Sequence, residues 1–229
     1  MRTESKAGGA RQLLELFTPY AVLCGLVSLT MCVMQGATWL TIKTEGAVQA
    51  RSRAYGRVAA LVLVGLFAVA GVYTGFIDGY VYVDGDIAGP SNPLHKVVEM
   101  RQGGWYANYE TYPWMLAAPL LGFAGALGAF MMLTARREIL SWVASSISLF
   151  GIVSTAGVSM FPFLMPSSVD PVSSLTVWDS SSSHLTLFIM TICAVIFVPI
   201  ILAYTSWVYK ILAGKVTEAQ ITEKSSEVY

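Results

Sequence analysis

Five stretches of this sequence contain no aspartate, glutamate, lysine or arginine: Leu16 to Ile42, Val58 to Ile77, Thr111 to Ala135, Ile139 to Val169 and Ser180 to Tyr209. Each supplies the roughly 20 residues that a helix needs to cross about 30 Å of hydrocarbon. Lipid offers the backbone no hydrogen-bond partner, so a spanning segment must be a helix or part of a closed barrel. None of the windows alternates apolar and polar residues as a barrel strand does. The pattern therefore predicts an all-α integral membrane protein with five transmembrane helices, at about 16–42, 58–77, 112–135, 139–163 and 184–209.

Composition agrees with this. The chain is 55% hydrophobic and 12% charged, against roughly 25% charged in soluble domains. Basic and acidic residues balance at 14 each, so net charge gives no reason to expect a nucleic-acid partner. Cys24, Cys32 and Cys193 lie in apolar runs without a CxxC pair, which argues against disulfides or zinc and for packing. The first window reads as a span rather than a cleavable leader, because its apolar run is too long and "QGATWLTIKTEG" holds no small-x-small cleavage site.

Orientation follows from the basic residues. Lys43, Arg51, Arg53 and Arg57 follow the first window, Arg136 and Arg137 the third, and Lys210, Lys215 and Lys224 the last. The intervening segments hold only Lys96 and Arg101, so the basic set is expected on the cytoplasmic side, with the tail 213–229. Residues 1–15 then lie outside, against the rule, since they carry Arg2, Lys6 and Arg11. The turn "ARREIL" allows only an antiparallel helical hairpin. The segment from Asp78 to Glu110 reads as a long outer loop, and Trp105, Tyr106, Tyr109, Tyr112 and Trp114 read as an interfacial aromatic belt.

Cofactor chemistry has few candidates. An axial heme ligand would have to be His, Met or Cys. His95 sits in the outer loop, His184 opens the last span, and Met160 ends the fourth; His184 and Met160 are the weak cofactor candidates. No catalytic residue and no metal site is expected. A proton or ion pump leaves ionisable residues at mid-membrane depth, and none of the five windows has one.

Polar and small residues in the windows point to packing instead. Gln35 and the series Ser145, Ser146, Ser148, Ser154, Thr155 and Ser159 can bond across helices or to carbonyls of their own helix. Gly122, Gly125 and Gly128 allow close helix approach. Asp179 in "VWDSSSSH" is expected to cap the last helix, and Asp78 in "GFIDGY" to pair with a base. In "MFPFLMPSSVDP", Pro162 and Pro166 disfavour helix before them, so the fourth helix should kink or end near Met160.

Several strings together resemble subunit II of the cytochrome bd-type quinol oxidases of bacterial respiratory chains. They are "QGATWLTIKTEG" with Arg51 and Arg53, "GFIDGYVY", "SNPLHK", "LTARRE", "TAGVSMFPFLMPSS", "SSLTVWDSSSSHLTL" and "VPIILAYTSWVYK". They run in order from about Leu23 to Tyr229, and what they resemble is the C-terminal half of such a subunit: the last five of nine spans, a four-helix bundle plus one peripheral helix. Met1 then falls where the family has an outer loop. The resemblance implies a subunit of an inner-membrane quinol:oxygen oxidoreductase of aerobic respiration that is not itself catalytic. Hemes b and d belong to the partner, subunit I, and quinol is the substrate of the complex. Membrane lipid and quinone are its other partners. Gln35, Arg51, Arg53, Asp78, Tyr80, Pro162, Pro166, Trp178 and Asp179 stand as structural or interface candidates. The competing expectations are a stand-alone transporter or channel half, and a remnant that does not assemble.

Overall fold

The computed structural model describes residues 17–85, 96–211 and 213–215. His95, Lys224, all of residues 1–15 and all but the first residue of "GDIAGPSNP" lie outside the described residues. Among the described residues six α-helices occur in chain order: α1 Pro19–Lys43, α2 Gly46–Thr74, the short α3 Ala107–Thr111, α4 Ala117–Thr134, α5 Glu138–Met160 and α6 His184–Ile211. Short strands are β1 Asp78–Gly85, β2 Lys96–Gln102, β3 Phe163–Met165 and β4 Leu175–Thr176. Among the described residues, five helices are long and apolar enough to cross a membrane: α1, α2, the Pro113–Thr134 segment containing α4, α5 and α6. The chain is an all-α membrane protein with two small β-ladders, β1–β2 and β3–β4.

Two compact units make up the fold. The first, residues 1–81 and 100–160, contains a four-helix bundle of α1, α2, α4 and α5. Its interior is built from small residues. Ala60 and Ala129 are fully buried, Ala126 nearly so, around Met34, Leu63 and Ile152. Lipid tails are as apolar as leucine, so burying bulk gains little between helices, whereas small side chains let backbones come close enough for dispersion and polar contacts. The α4–α5 pair takes this furthest. A Cβ on Gly125 would lie 2.7 Å from Ser148 Cα, and one on Gly151 2.7 Å from the Leu121 carbonyl carbon. Ser148 Oγ, fully buried, donates to the Gly122 carbonyl at 2.8 Å.

The turn between α4 and α5 closes with Arg136 in the left-handed region, φ 58°. Arg137 N–H donates to the Met132 carbonyl at 2.9 Å, satisfying one of the orphaned carbonyls at the end of α4. At the opposite end of the unit, Gly79 and Gly104 cross backbone on backbone: a Cβ on Gly104 would sit 2.7 Å from the Gly79 carbonyl carbon. The described parts of this region, residues 78–85 and 96–110, are thus paired strands and short helical turns where the sequence suggested a long loop. The alternation in "YVYV" carried the strand signal.

The second unit comprises residues 82–99 and 161–229. Helix α5 ends at Met160, as the prolines require, and Phe163–Met165 is extended. The Phe161–Pro162 peptide is cis. β3 pairs antiparallel with β4 across a bulge, Phe163 opposite Thr176 and Met165 opposite Leu175, and Val177 N–H donates to the Pro162 carbonyl at 2.9 Å. Within this unit α6 buries no residue, although it is apolar all round and carries Pro199 in its interior. A helix of that composition is suited to lipid or to a protein partner on every face.

Candidate functional site in the four-helix bundle

The bundle of the first unit encloses a cavity of about 930 Å³, at the large end of small-molecule sites. Its floor is apolar, with Met31 from α1, Phe67 from α2, Phe123 from α4 and Ile152 from α5. Phe67 and Phe123 pack with ring centroids 4.8 Å apart. Its rim is lined with hydroxyls. Tyr20 Oη and Thr74 Oγ1 are hydrogen-bonded at 2.9 Å, Tyr109 Oη and Ser159 Oγ at 2.8 Å, and Tyr106 Oη donates to the Gly71 carbonyl. These residues meet because α1 begins, and α2 and α5 end, at the same end of the bundle, which the short α3 caps. Asn108 Nδ2 of α3 donates to the Val158 carbonyl at 2.8 Å and holds that cap on α5.

Burial pushes the Tyr106 and Tyr109 phenols up; the neighbouring Tyr109 adds to it at Tyr106, and the Ser159 bond opposes it at Tyr109. Both are therefore neutral hydrogen-bonding groups at any physiological pH. The lining also includes the Glu110 carboxyl, so a polar rim over an apolar shaft matches an amphiphile with a hydrogen-bonding head and a hydrocarbon tail. Met160 lines the rim and is 38% exposed. His184, exposed at the start of α6, belongs to the second unit. The cavity lining has no histidine, and among the described residues no cluster of three or more His, Cys, Asp or Glu could hold a metal ion.

The remaining candidates fall into three clusters. Gln35 of α1 reaches α5: its Nε2 donates to Ser146 Oγ at 2.9 Å, its Oε1 accepts from Ser145 Oγ, and Ser145 meets Thr38 Oγ1 at 3.0 Å. Both serines also have the Trp142 carbonyl within reach, at 2.8 and 2.9 Å. They can fall back on it, so Gln35→Leu should cost only about 1 kcal/mol. A thermal melt of the purified protein by circular dichroism measures this.

Arg53 lies at the other end of the bundle, where its Nη2 is 3.4 Å from Glu138 Oε1, an atom that also accepts from Gln49 Nε2 at 2.7 Å. Arg51, two residues away, is exposed. Tyr80 packs on Trp105 at 5.6 Å between centroids.

The third cluster, in the second unit, corrects two expectations. Asp179 does not cap the last helix: α6 begins at His184, and Ser183 Oγ accepts the Thr186 N–H at 3.5 Å. Asp179 instead accepts the Thr176 N–H at 2.7 Å and pairs with Lys96 Nζ. Their side chains are only 8% and 3% exposed. Trp178 stacks edge-on against Tyr82 and Phe161, at 5.0 and 5.8 Å. Asp78, expected to pair with a base, is exposed at the start of β1 and makes no ion pair among the described residues. Pro162 joins this ladder through its carbonyl, whereas Pro166 follows β3.

Sequence reasoning missed Lys96 as a buried partner, and Tyr20 and Thr74 as rim groups. It read Tyr106 and Tyr109 as a lipid-interface belt. Only the clustering of hydroxyl-bearing residues at the ends of three windows hinted at the rim.

Comparison with known proteins places the chain in a family. The model of the cytochrome bd terminal oxidase subunit II family matches residues 2–212. The chain is 44% identical to cytochrome bd-I ubiquinol oxidase subunit 2 of Escherichia coli strain K12 over 219 residues, and the alignment covers 94% of this chain and 57% of that protein. It is 40% identical to the probable cytochrome oxidase subunit 2 of Haemophilus influenzae over 216 residues, with the same two coverages. The chain thus spans a little more than half the length of these curated relatives. On the match to residues 2–212 and these identities, the chain belongs to the cytochrome bd terminal oxidase subunit II family.

Proposed function

We propose that the chain works as a membrane subunit of a bd-type quinol:oxygen oxidoreductase, in which quinol oxidation is coupled to reduction of dioxygen to water. The observation that carries this reading is the 44% identity to a ubiquinol oxidase subunit 2 across 94% of the chain. Hemes b and d sit in the heme-bearing subunit I, and this chain packs against that subunit and keeps lipid and water from the cofactors. The apolar faces of α6, unburied within their own unit, suit lipid or that partner. The bundle cavity, with neutral hydroxyls over an apolar shaft, borders the path of the quinone. The chain sits in the bacterial inner membrane with Arg53, Arg136 and Arg137 on the cytoplasmic side and the C-terminus with them.

A tagged chain co-expressed with the heme-bearing subunit should retain it through detergent purification, with heme in the eluate. Recovery of the tagged chain alone, folded and free of heme protein, would overturn the assignment. A stand-alone transporter half predicts substrate flux in liposomes from this chain by itself. The lack of ionisable residues at mid-membrane depth in the five windows, with His184 only at the start of the last, counts against it.

A further inference from the structure

One end of the four-helix bundle carries four arginines, Arg53 and Arg57 on α2 and Arg136 and Arg137 in the α4–α5 turn, of which Arg53 pairs with Glu138. Arg57 immediately precedes the charge-free window that starts at Val58, and Arg136 and Arg137 immediately follow the one that ends at Ala135. The two helices are in register there. Arg53 reaches Glu138, and a Cβ on Gly56 would lie 3.0 Å from Leu133 Cδ1. Arg57 is one turn from Arg53 on the same face of α2. All four arginines therefore stand at the level where the hydrocarbon ends.

Glu138 carries one negative charge against four positive ones, and its Oε1 accepts from both Gln49 and Arg53. Arg53 Nε is buried without a hydrogen-bond partner, and Arg57, Arg136 and Arg137 make no ion pair among the described residues. Arg136 also occupies a left-handed backbone position, φ 58°, that glycine would fill at less cost. Ile139 and Leu140, next in sequence, are 68% and 46% exposed.

We propose that Arg53, Arg57, Arg136 and Arg137 bind the phosphate of an anionic glycerophospholipid, with Ile139 and Leu140 against the first segment of an acyl chain. Guanidinium presents paired donors that match phosphate oxygens, and basic pockets between spans at the membrane surface are suited to such headgroups. The adjacent exposed aliphatic residues favour a lipid over a free phosphate ion, which has no use for them.

The test titrates the full chain, purified in detergent and stripped of lipid, with phosphatidylglycerol or with phosphatidylcholine of the same acyl chains, counting bound lipid by native mass spectrometry. Arg136→Gln with Arg137→Gln should weaken phosphatidylglycerol binding about tenfold or more. Arg51→Gln with Lys210→Gln removes the same charge elsewhere and should weaken it less than about twofold. Arg136→Gly, which relieves the backbone, should reproduce part of the loss with a melting temperature that does not fall. Equal losses in both double variants, equal binding of phosphatidylcholine, or displacement of the lipid by inorganic phosphate at matched concentration would each overturn the proposal.

Discussion

Lys96→Met should open the β3–β4 ladder of the second unit at a cost of about 3–5 kcal/mol, the usual penalty for leaving one member of a buried ion pair without its partner. The Lys96 and Asp179 side chains are 3% and 8% exposed, so water cannot take over the lost interaction. Burial alone would raise the Asp179 carboxyl; the Lys96 ammonium and the Thr176 N–H outweigh it and hold that carboxyl below its usual range. A carboxyl lowered by folding stabilises the fold above its unfolded pKa, and that contribution is lost as the pH falls through the folded value. The wild-type ladder should therefore weaken below the ordinary carboxylate range. In Lys96→Met the dependence should reverse, because a buried carboxylate without a partner is relieved by protonation. Replacing both residues together, Lys96→Met with Asp179→Leu, should recover part of the loss: an apolar pair can stand in for buried ions, but the Thr176 N–H loses its acceptor. Hydrogen exchange of residues 163–179 across pH measures all three. Equal protection in wild type and Lys96→Met would show that the pair does not hold the ladder.

Gly151→Ala should be nearly as damaging to the first unit. The new methyl would meet the Leu121 carbonyl carbon at 2.7 Å and the Ala118 carbonyl oxygen at 2.8 Å, and both belong to backbone that cannot rotate away. Helices α4 and α5 would have to separate, giving up the Ser148–Gly122 bond and the contacts around Ala126 and Ala129. Overpacking of this kind costs about 1–3 kcal/mol or more. The informative control is Gly157→Ala, six residues on in the same helix, where a Cβ meets nothing within 4 Å. There alanine should stabilise by up to about 1 kcal/mol through helix propensity alone. Melts of the two variants should move in opposite directions. A common direction would mean that the close approach of α4 and α5 is not what limits stability.

The spans were legible because membrane burial is written in one dimension. The absence of charge over some twenty residues needs no knowledge of what lies opposite. The packing role of Gly122, Gly125 and the Ser145–Ser148 series was legible for a similar reason, since small and hydroxyl-bearing residues in a span have few other uses. The β-ladders were not. Lys96 and Asp179 are 83 residues apart in sequence, and nothing local distinguishes a lysine destined for burial from one on a loop. Asp179 was misassigned because "DSSSSH" offers several residues able to cap, and the helix uses Ser183. The cavity rim escaped because Tyr106 and Tyr109 read equally well as interface aromatics. Only the folding of α3 against the end of α5 turns them inward.

The central claim is that this chain completes a bd-type oxidase around a heme-bearing partner. The direct measurement is the reduced-minus-oxidised spectrum of membranes that express the chain with subunit I and no other second subunit. A heme d band, with quinol-dependent oxygen uptake, is the predicted result. Membranes that contain both polypeptides in quantity but show no heme d band would contradict it.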